Sequence, residues 1–273
     1  MTTILALDAA WTSTEPSGVA LVQDGPCGWR CVAIAPSYES FFAQAEGQVT
    51  DWGASKFAGS APDVPSLLRA ARSLAGQPVD LVTLDMPVAT QPFASRRQAD
   101  QNISIEFGAR WCAAHTPSAK RPGSLGALLS LAWSANGYQL ATTATRAAEP
   151  GRLVEVYPHP ALLSLLNAQQ RVPYKVSKSR KYWPKCNVQE RIVKLLVVFK
   201  SIHEKVEGVF GNVGFDFPSP AGIPTLSHLK RYEDVLDALV CAWVGLEYLQ
   251  SRTVALGDET AAIWCPSDVV KTL

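Results

Sequence analysis

The segment 231–249, RYEDVLDALVCAWVGLEYL, constrains this chain most, because it sets two carboxylates inside a helix that is apolar around nearly its whole circumference. Leu239, Val240, Ala242, Trp243, Val244 and Leu246 leave little polar face for solvent, so the helix belongs in a core. Asp234 and Asp237 stand three residues apart. At about 3.6 residues per turn, that spacing puts both on one face, close enough to share a cation or bracket one substrate atom. Capping is the simpler account: an Asp near a helix start accepts from free backbone N–H groups and meets the positive end of the helix dipole. The two accounts separate on whether other carboxylates arrive at the same place.

A chain of 273 residues, 47% of them hydrophobic, has apolar surface enough for a sizeable core, which sets disorder aside. The formal net charge of +1 gives no global attraction to nucleic acid or to an anionic membrane, so such binding must rest on a local patch. Six cysteines are scattered, and only Cys27 and Cys31 lie close, with no second pair to complete a zinc site. No basic region followed by a long apolar run opens the chain, and no apolar stretch approaches the roughly 20 residues of a membrane span. The expectation is a soluble, reducing, cytoplasmic protein with no membrane partner.

Residues 3–7 form a short apolar run that ends at Asp8; 17–22 reads as its hairpin partner and 30–35 as a third antiparallel strand. Residues 38–61 read as an irregular connection with one short helix. Helical spacing over 65–74 stops at Gly76 and Pro78. Residues 79–84 resemble a parallel strand buried on both faces, and they lead into Asp85, Met86 and Pro87. Pro87 cannot extend a ladder, so Asp85 belongs at the carboxyl edge of its strand.

Residues 92–121 read as a lid or insertion, 125–140 as a helix, and 152–157 as a buried strand that carries Glu155 and stops at Pro158. Helices over 161–166 and 189–205, a Gly/Pro-rich loop over 208–224 and a hairpin over 253–265 complete the chain. No internal repeat interrupts it, so a single domain over 1–273 is expected, with insertions near 92–121 and 167–225. The right-handed crossover rule lays the strand ending at Asp85 parallel to and beside the first. Ligands bind at the carboxyl ends of such strands, where Asp8 and Asp85 become neighbours and the acidic helix can join them.

The stretches LALDAAW, PSGVALV, TLDMPV, RRQAD, EVYPHP, YK and EDVLDALVCAW span almost the whole chain. Together they resemble the ribonuclease H-like superfamily and, within it, the DUF429 family of predicted ribonuclease H-like nucleases. The D-x-x-D-A-L pattern is similar to the closing helix of the Holliday-junction resolvase branch, whose two helix carboxylates belong to the active site. The resemblance implies an α/β fold, a mixed five-stranded sheet flanked by helices, and a metal-dependent phosphodiester hydrolase (nuclease) acting on DNA or RNA. It assigns Asp8 as the first-strand acid, Asp85 as the second acid, and Asp234 or Asp237 as the helix acid. Glu155 matches a family feature and reads either as a fourth ligand or as a buried partner for Arg180 or Arg191. Arg97, within RRQAD, joins the substrate-binding candidates. One departure is Asp8-Ala9-Ala10-Trp11, where relatives often have a glycine close to the first Asp.

The chemistry suits the acids. Phosphodiester hydrolysis needs a neutralised phosphate, an activated water and a stabilised leaving oxygen, and two Mg²⁺ or Mn²⁺ ions about 4 Å apart supply all three. Hard ions take hard oxygen ligands, so Asp and Glu without His or Cys are the matching donors. An acid at the very start of a helix satisfies backbone donors, whereas one a turn further in looks outward to a metal. That favours Asp8, Asp85 and Asp237 as metal ligands, with Asp234 auxiliary.

The segment 171–185, RVPYKVSKSRKYWPK, holds six positive charges and no acid. Lys175, Lys178, Arg180 and Lys181 alternate there with Tyr174, Tyr182 and Trp183, a pattern that suits phosphates and stacked bases. A solvated loop whose aromatics anchor it to the core explains the same pattern. Lys175, in the matching Tyr-Lys pair, is the candidate for a phosphate contact inside the site. His159 between two prolines is a proton donor or a structural residue. Two other function classes remain: a non-catalytic nucleic-acid-binding or scaffold protein with this fold, and an actin-like-fold ATPase or sugar kinase. Against the second, no G-K-[ST] pattern follows the glycines of 208–214.

Overall fold

A computed structural model of the chain describes residues 1–271. It opens with three antiparallel strands, β1 (Thr3–Asp8), β2 (Gly18–Gly25) and β3 (Gly28–Ala35). Helices α1 (Tyr38–Ala45) and α2 (Val64–Ala75) follow, capped by the Ser37 and Asp63 side chains, and Gly76 ends α2 in the left-handed conformation. Strand β4 (Leu81–Asp85), helices α3 (Gln98–Phe107) and α4 (Leu125–Ala135), and the two-residue strand β5 (Gln139–Leu140) lead to β6 (Arg152–Val156). The remaining elements are α5 (Pro158–Leu165), α6 (Ser179–Tyr182), α7 (Val188–Phe210), α8 (Lys230–Leu249), β7 (Thr253–Gly257) and β8 (Ala262–Pro266).

The strands form one mixed sheet in the order β3-β2-β1-β4-β6-β8-β7, with β5 beside the first half of β6. β4 lies parallel to β1, and β6 parallel to β4. The first five strands in this order are the expected five-stranded sheet, and the whole arrangement is compatible with a ribonuclease H-like α/β fold. The expected closing hairpin is present as β7 and β8, but it joins the sheet, so the sheet has eight strands rather than five. The reason lies in β6: Glu155 and Val156 would otherwise present an unpaired edge, and Ile263 and Trp264 cover it.

Alternating side chains of the central strands feed two cores. Ile4, Ala6, Ala20 and Val22 face the layer of α7 and α8, while Leu5, Leu7, Val19 and Leu21 face that of α1, α2 and α4. Several expected bounds move for local reasons. Helix α4 stops at Ala135 because Gly137, at positive φ, turns the chain into β5. Helix α5 begins earlier than expected, with Pro158 in its first turn, where a missing N–H does no harm. A capping box of Asn187 and Glu190 starts α7. The expected lid of 92–121 contains α3, which packs on β7 and β8.

Helix α8 is the buried spine the sequence implies. Every residue from 231 to 248 is buried, and the helix crosses β1, β2 and β4. Two glycines allow that approach. A Cβ at Gly18 on β2 would lie 2.1 Å from the carbonyl oxygen of Asp234, and one at Gly245 on α8 would lie 2.8 Å from Thr83 Cγ2. Among the described residues, no helix is long and apolar enough to cross a membrane.

Candidate active site

Asp8 and Asp85 close two adjacent parallel strands and are register partners, so their side chains meet at one carboxyl edge. On the other side Asp8 pairs with Gly18, the residue on which the Asp234 turn of α8 rests. The close backbone approach absent from Asp8-Ala9-Ala10 is therefore made from β2. Asp8, Asp85, Glu233 and Asp234 line one cleft of about 610 Å³, with Lys175 and Lys230 beside them.

Two lysines already sit among the acids. Lys230 Nζ reaches Glu233 Oε1 at 2.9 Å and also pairs with Asp234, while Lys175 pairs with Asp237 and lies 3.5 Å from Glu233. Tyr174 Oη donates to Asp237 Oδ1 at 2.6 Å, and the Val176 N–H donates to Glu233 Oε2 at 2.6 Å. Among the described residues no hydrogen bond reaches the carboxylates of Asp8 or Asp85.

Within the acid cluster itself the charges do not balance. Five carboxylates (Asp8, Asp85, Glu233, Asp234, Asp237) face two ammoniums, which leaves three negative charges if all ionise. Burial, then Asp237 and Asp234, hold Asp8 well above the carboxylate range. Burial lifts Asp85 to about 7 against the pull of Lys175, and lifts Asp234 to about 6 against that of Lys230. Burial also raises Asp237, with Lys175 opposing. Glu233 differs: burial acts upward, but Lys230 and Lys175 outweigh it and hold the group below its ordinary value. An edge in this state takes up protons or a cation.

A family model described as a protein of unknown function (DUF429) matches residues 8–261, a span that runs from the first acid through the last helix acid. The chain belongs to the DUF429 family. No curated protein and no solved structure matches it.

In this DUF429 chain the two helix acids are placed differently from what their sequence positions suggested. α8 begins at Lys230, a full turn before Asp234, and its first-turn acid is Glu233. Asp234 is thus not at the helix start, and it opens on the cleft. Asp237 has no exposure, and both of its oxygens are taken, one by Tyr174 and one by Lys175. Asp8, Asp85 and Asp234 form the set that fits a hard divalent ion, since all are oxygen donors facing one cleft. Among the described residues, no three His, Cys, Asp or Glu side chains are already gathered in a metal-holding group; the helix acids are held by lysines instead.

Glu155 pairs with neither Arg180 nor Arg191. It accepts from Arg97 at 2.6 and 2.7 Å and from the Val88 N–H at 3.1 Å. Arg97 also binds Asp100 at 2.7 Å and the Val88 carbonyl at 2.5 Å, and its side chain is only 5% exposed. These contacts keep both Arg97 and Glu155 out of the cleft lining. The RRQAD stretch therefore serves to clamp the loop after β4 to β6. Burial pushes Glu155 up to about 7 despite Arg97, whereas burial pulls Arg97 down and Glu155 outweighs it. A two-pronged guanidinium–carboxylate contact with a backbone donor favours the ionised pair.

The basic segment divides. Lys175 stands among the acids and Lys178 lines the cleft, whereas Arg180 and Lys181 are exposed and outside its lining. Trp183 packs against the core with Lys194 of α7 over its ring, so this aromatic anchors the segment. His159 is 3% exposed, sits edge-on to Tyr157 and Tyr174, and is kept neutral by burial first and then by Arg171. Sequence reasoning missed Lys230, Glu233, His115, Arg121 and Arg171 as cleft residues. Lys230 had a signal in its spacing of four from Asp234, and Glu233 in its spacing of four from Asp237. His115 and Arg121 reach the cleft only through the path of a long connection.

Proposed function

We propose that this chain is a metal-dependent phosphodiester hydrolase of the ribonuclease H-like type that acts on nucleic acid with Mg²⁺ or Mn²⁺. One observation carries the reading: Asp8 and Asp85, in register at the ends of parallel strands, share a cleft with Asp234 and have no ion-pair or hydrogen-bond partner for their carboxylates among the described residues. Bound divalent ions would neutralise the phosphate, activate water and stabilise the leaving oxygen. Asp8, Asp85 and Asp234 would hold them. Asp237 holds Lys175 and Tyr174 in place, and Lys175, 20% exposed at its side chain, directs its remaining donors to a substrate oxygen. The Arg97–Glu155 pair keeps the segment after Asp85 in position.

The test is Mn²⁺ titration calorimetry together with hydrolysis of single-stranded DNA and RNA. Wild type should bind Mn²⁺ and cleave, and Asp8→Asn and Asp85→Asn should lose both while remaining folded. Unchanged Mn²⁺ affinity in both variants would sink the reading. The lysines among the acids favour a second reading, a nucleic-acid-binding module without chemistry. It requires strand binding in EDTA and no cleavage with any divalent ion.

A further inference from the structure

The same cleft also carries cations outside the acid cluster. Arg171, Lys178 and Arg121 line it together with His115. Among the described residues, Arg171 and Lys178 have no ion-pair partner, and Arg121 has only a loose one, Glu15 at 3.8 Å with both side chains more than 60% exposed. The Nε of Arg171 is buried, with the Tyr182 hydroxyl beside it. These cations act on a common point: His115 is held below its ordinary value by burial and then by Arg171, Lys178, Lys175 and Arg121. Cations gathered in one cleft, two of them with no ion pair of their own, are free to take an anionic ligand.

We propose that the cleft contains an anion subsite, made by Arg171, Lys178 and Arg121, that holds a phosphate of the substrate other than the one attacked. The inference rests on the reading of the acid edge as the hydrolytic centre, since it places a second phosphate beside the first. The cleft's volume lies in the range of small-molecule sites, so it accommodates one or two nucleotides. Trp11 and Tyr157 supply aromatic surface for a base in the same lining. The second phosphate belongs either to the next nucleotide of a single strand or to the polyphosphate tail of a free nucleotide.

The experiment uses the full-length chain in EDTA, where no hydrolysis competes. Binding of a 5′-phosphorylated single-stranded tetranucleotide and of a nucleoside triphosphate is measured over a range of salt. Arg171→Gln and Lys178→Gln should each weaken binding of at least one ligand about ten- to hundredfold, the loss of a charge-assisted hydrogen bond. For the strand, the salt slope should fall by about 0.7 per contact removed. Arg171→Lys should retain part of the affinity, and Lys205→Gln, an exposed charge change on α7, should match wild type. The ligand that suffers identifies the source of the phosphate. Mn²⁺ titration of the same variants separates the two readings. Anion binding lost with Mn²⁺ binding kept supports the subsite and shows an intact fold. If wild type itself binds no Mn²⁺ yet the variants lose the anion, the subsite stands and the hydrolase reading falls. Parent affinity and slope for both ligands in Arg171→Gln and Lys178→Gln would overturn the subsite, as would failure of wild type to bind either ligand.

Discussion

Replacing Asp85 with Asn should make the metal-free protein more stable at pH 8. Burial, partly offset by Lys175, lifts the folded-state value of Asp85 to about 7 from an ordinary 3.8. The unfolded chain therefore gives up this proton near pH 4 and the folded chain only near pH 7. Ionisation of a raised carboxyl favours the unfolded state, so stability is untouched below about pH 4, falls between about pH 4 and 7, and stays reduced above. The gap between the two values corresponds to about 4 kcal/mol. Asp85 is only half-buried and opens on the cleft, and solvent screening there cuts the effect to about 2 kcal/mol. In a chain of this size that is a rise of about 4 °C in Tm. Thermal melts in EDTA should show the variant above wild type by this amount at pH 8, with the difference vanishing towards pH 4. Mn²⁺ at about a hundredfold excess over its Kd should then stabilise wild type by about 2.7 kcal/mol and leave the variant unmoved. An Asn variant that melts at or below wild type at pH 8, or that gains as much from Mn²⁺, would refute the reasoning.

The two helix acids should separate cleanly. Asp234→Asn should lose Mn²⁺ binding by calorimetry with little change in urea midpoint, while Asp237→Asn, which leaves the buried Lys175 and Tyr174 partly unpaired, should lose about 3–5 kcal/mol of stability; the reverse pattern returns the ligand role to Asp237. Arg97→Met should cost about 3–5 kcal/mol because it leaves Glu155 buried and unpaired, and the deficit should shrink as pH falls and Glu155 protonates, as read from urea unfolding at pH 8 and pH 5. Gly18→Ala puts a methyl group into the Asp234 backbone, so it should destabilise by about 1–3 kcal/mol and weaken Mn²⁺ binding together; a change in only one of the two would break the link between helix seating and the acid edge.

Much of the acid edge was legible because the relevant signals are local. An apolar run that ends in an acid before a proline tells of a buried strand and its carboxyl edge, and the crossover rule supplies the neighbour, as Asp8 and Asp85 bear out. The helix acids were legible as a pair but not in their placement. A helix start is set by what precedes it, and here the single turn Leu226–Leu229 runs straight into α8, which moves Asp234 away from the terminus. The Glu155 partner was missed for a different reason. Arg97 lies 58 positions away in a polar stretch, where charge pattern alone reads as a surface.

The amino-acid order by itself determined the alternation that feeds two cores, the strand ends that carry Asp8 and Asp85, and the nearly all-apolar circumference of α8 beyond its acids, because each depends on periodicity within a few residues. Only the tertiary structure decided which acids open on the cleft, that Lys175 and Lys230 stand among them, and that Arg171, Lys178 and Arg121 face the same space. Those are long-range electrostatic facts: a carboxylate's neighbours, its burial and therefore its protonation are set by chain segments far apart in sequence, brought together when α8 settles on Gly18.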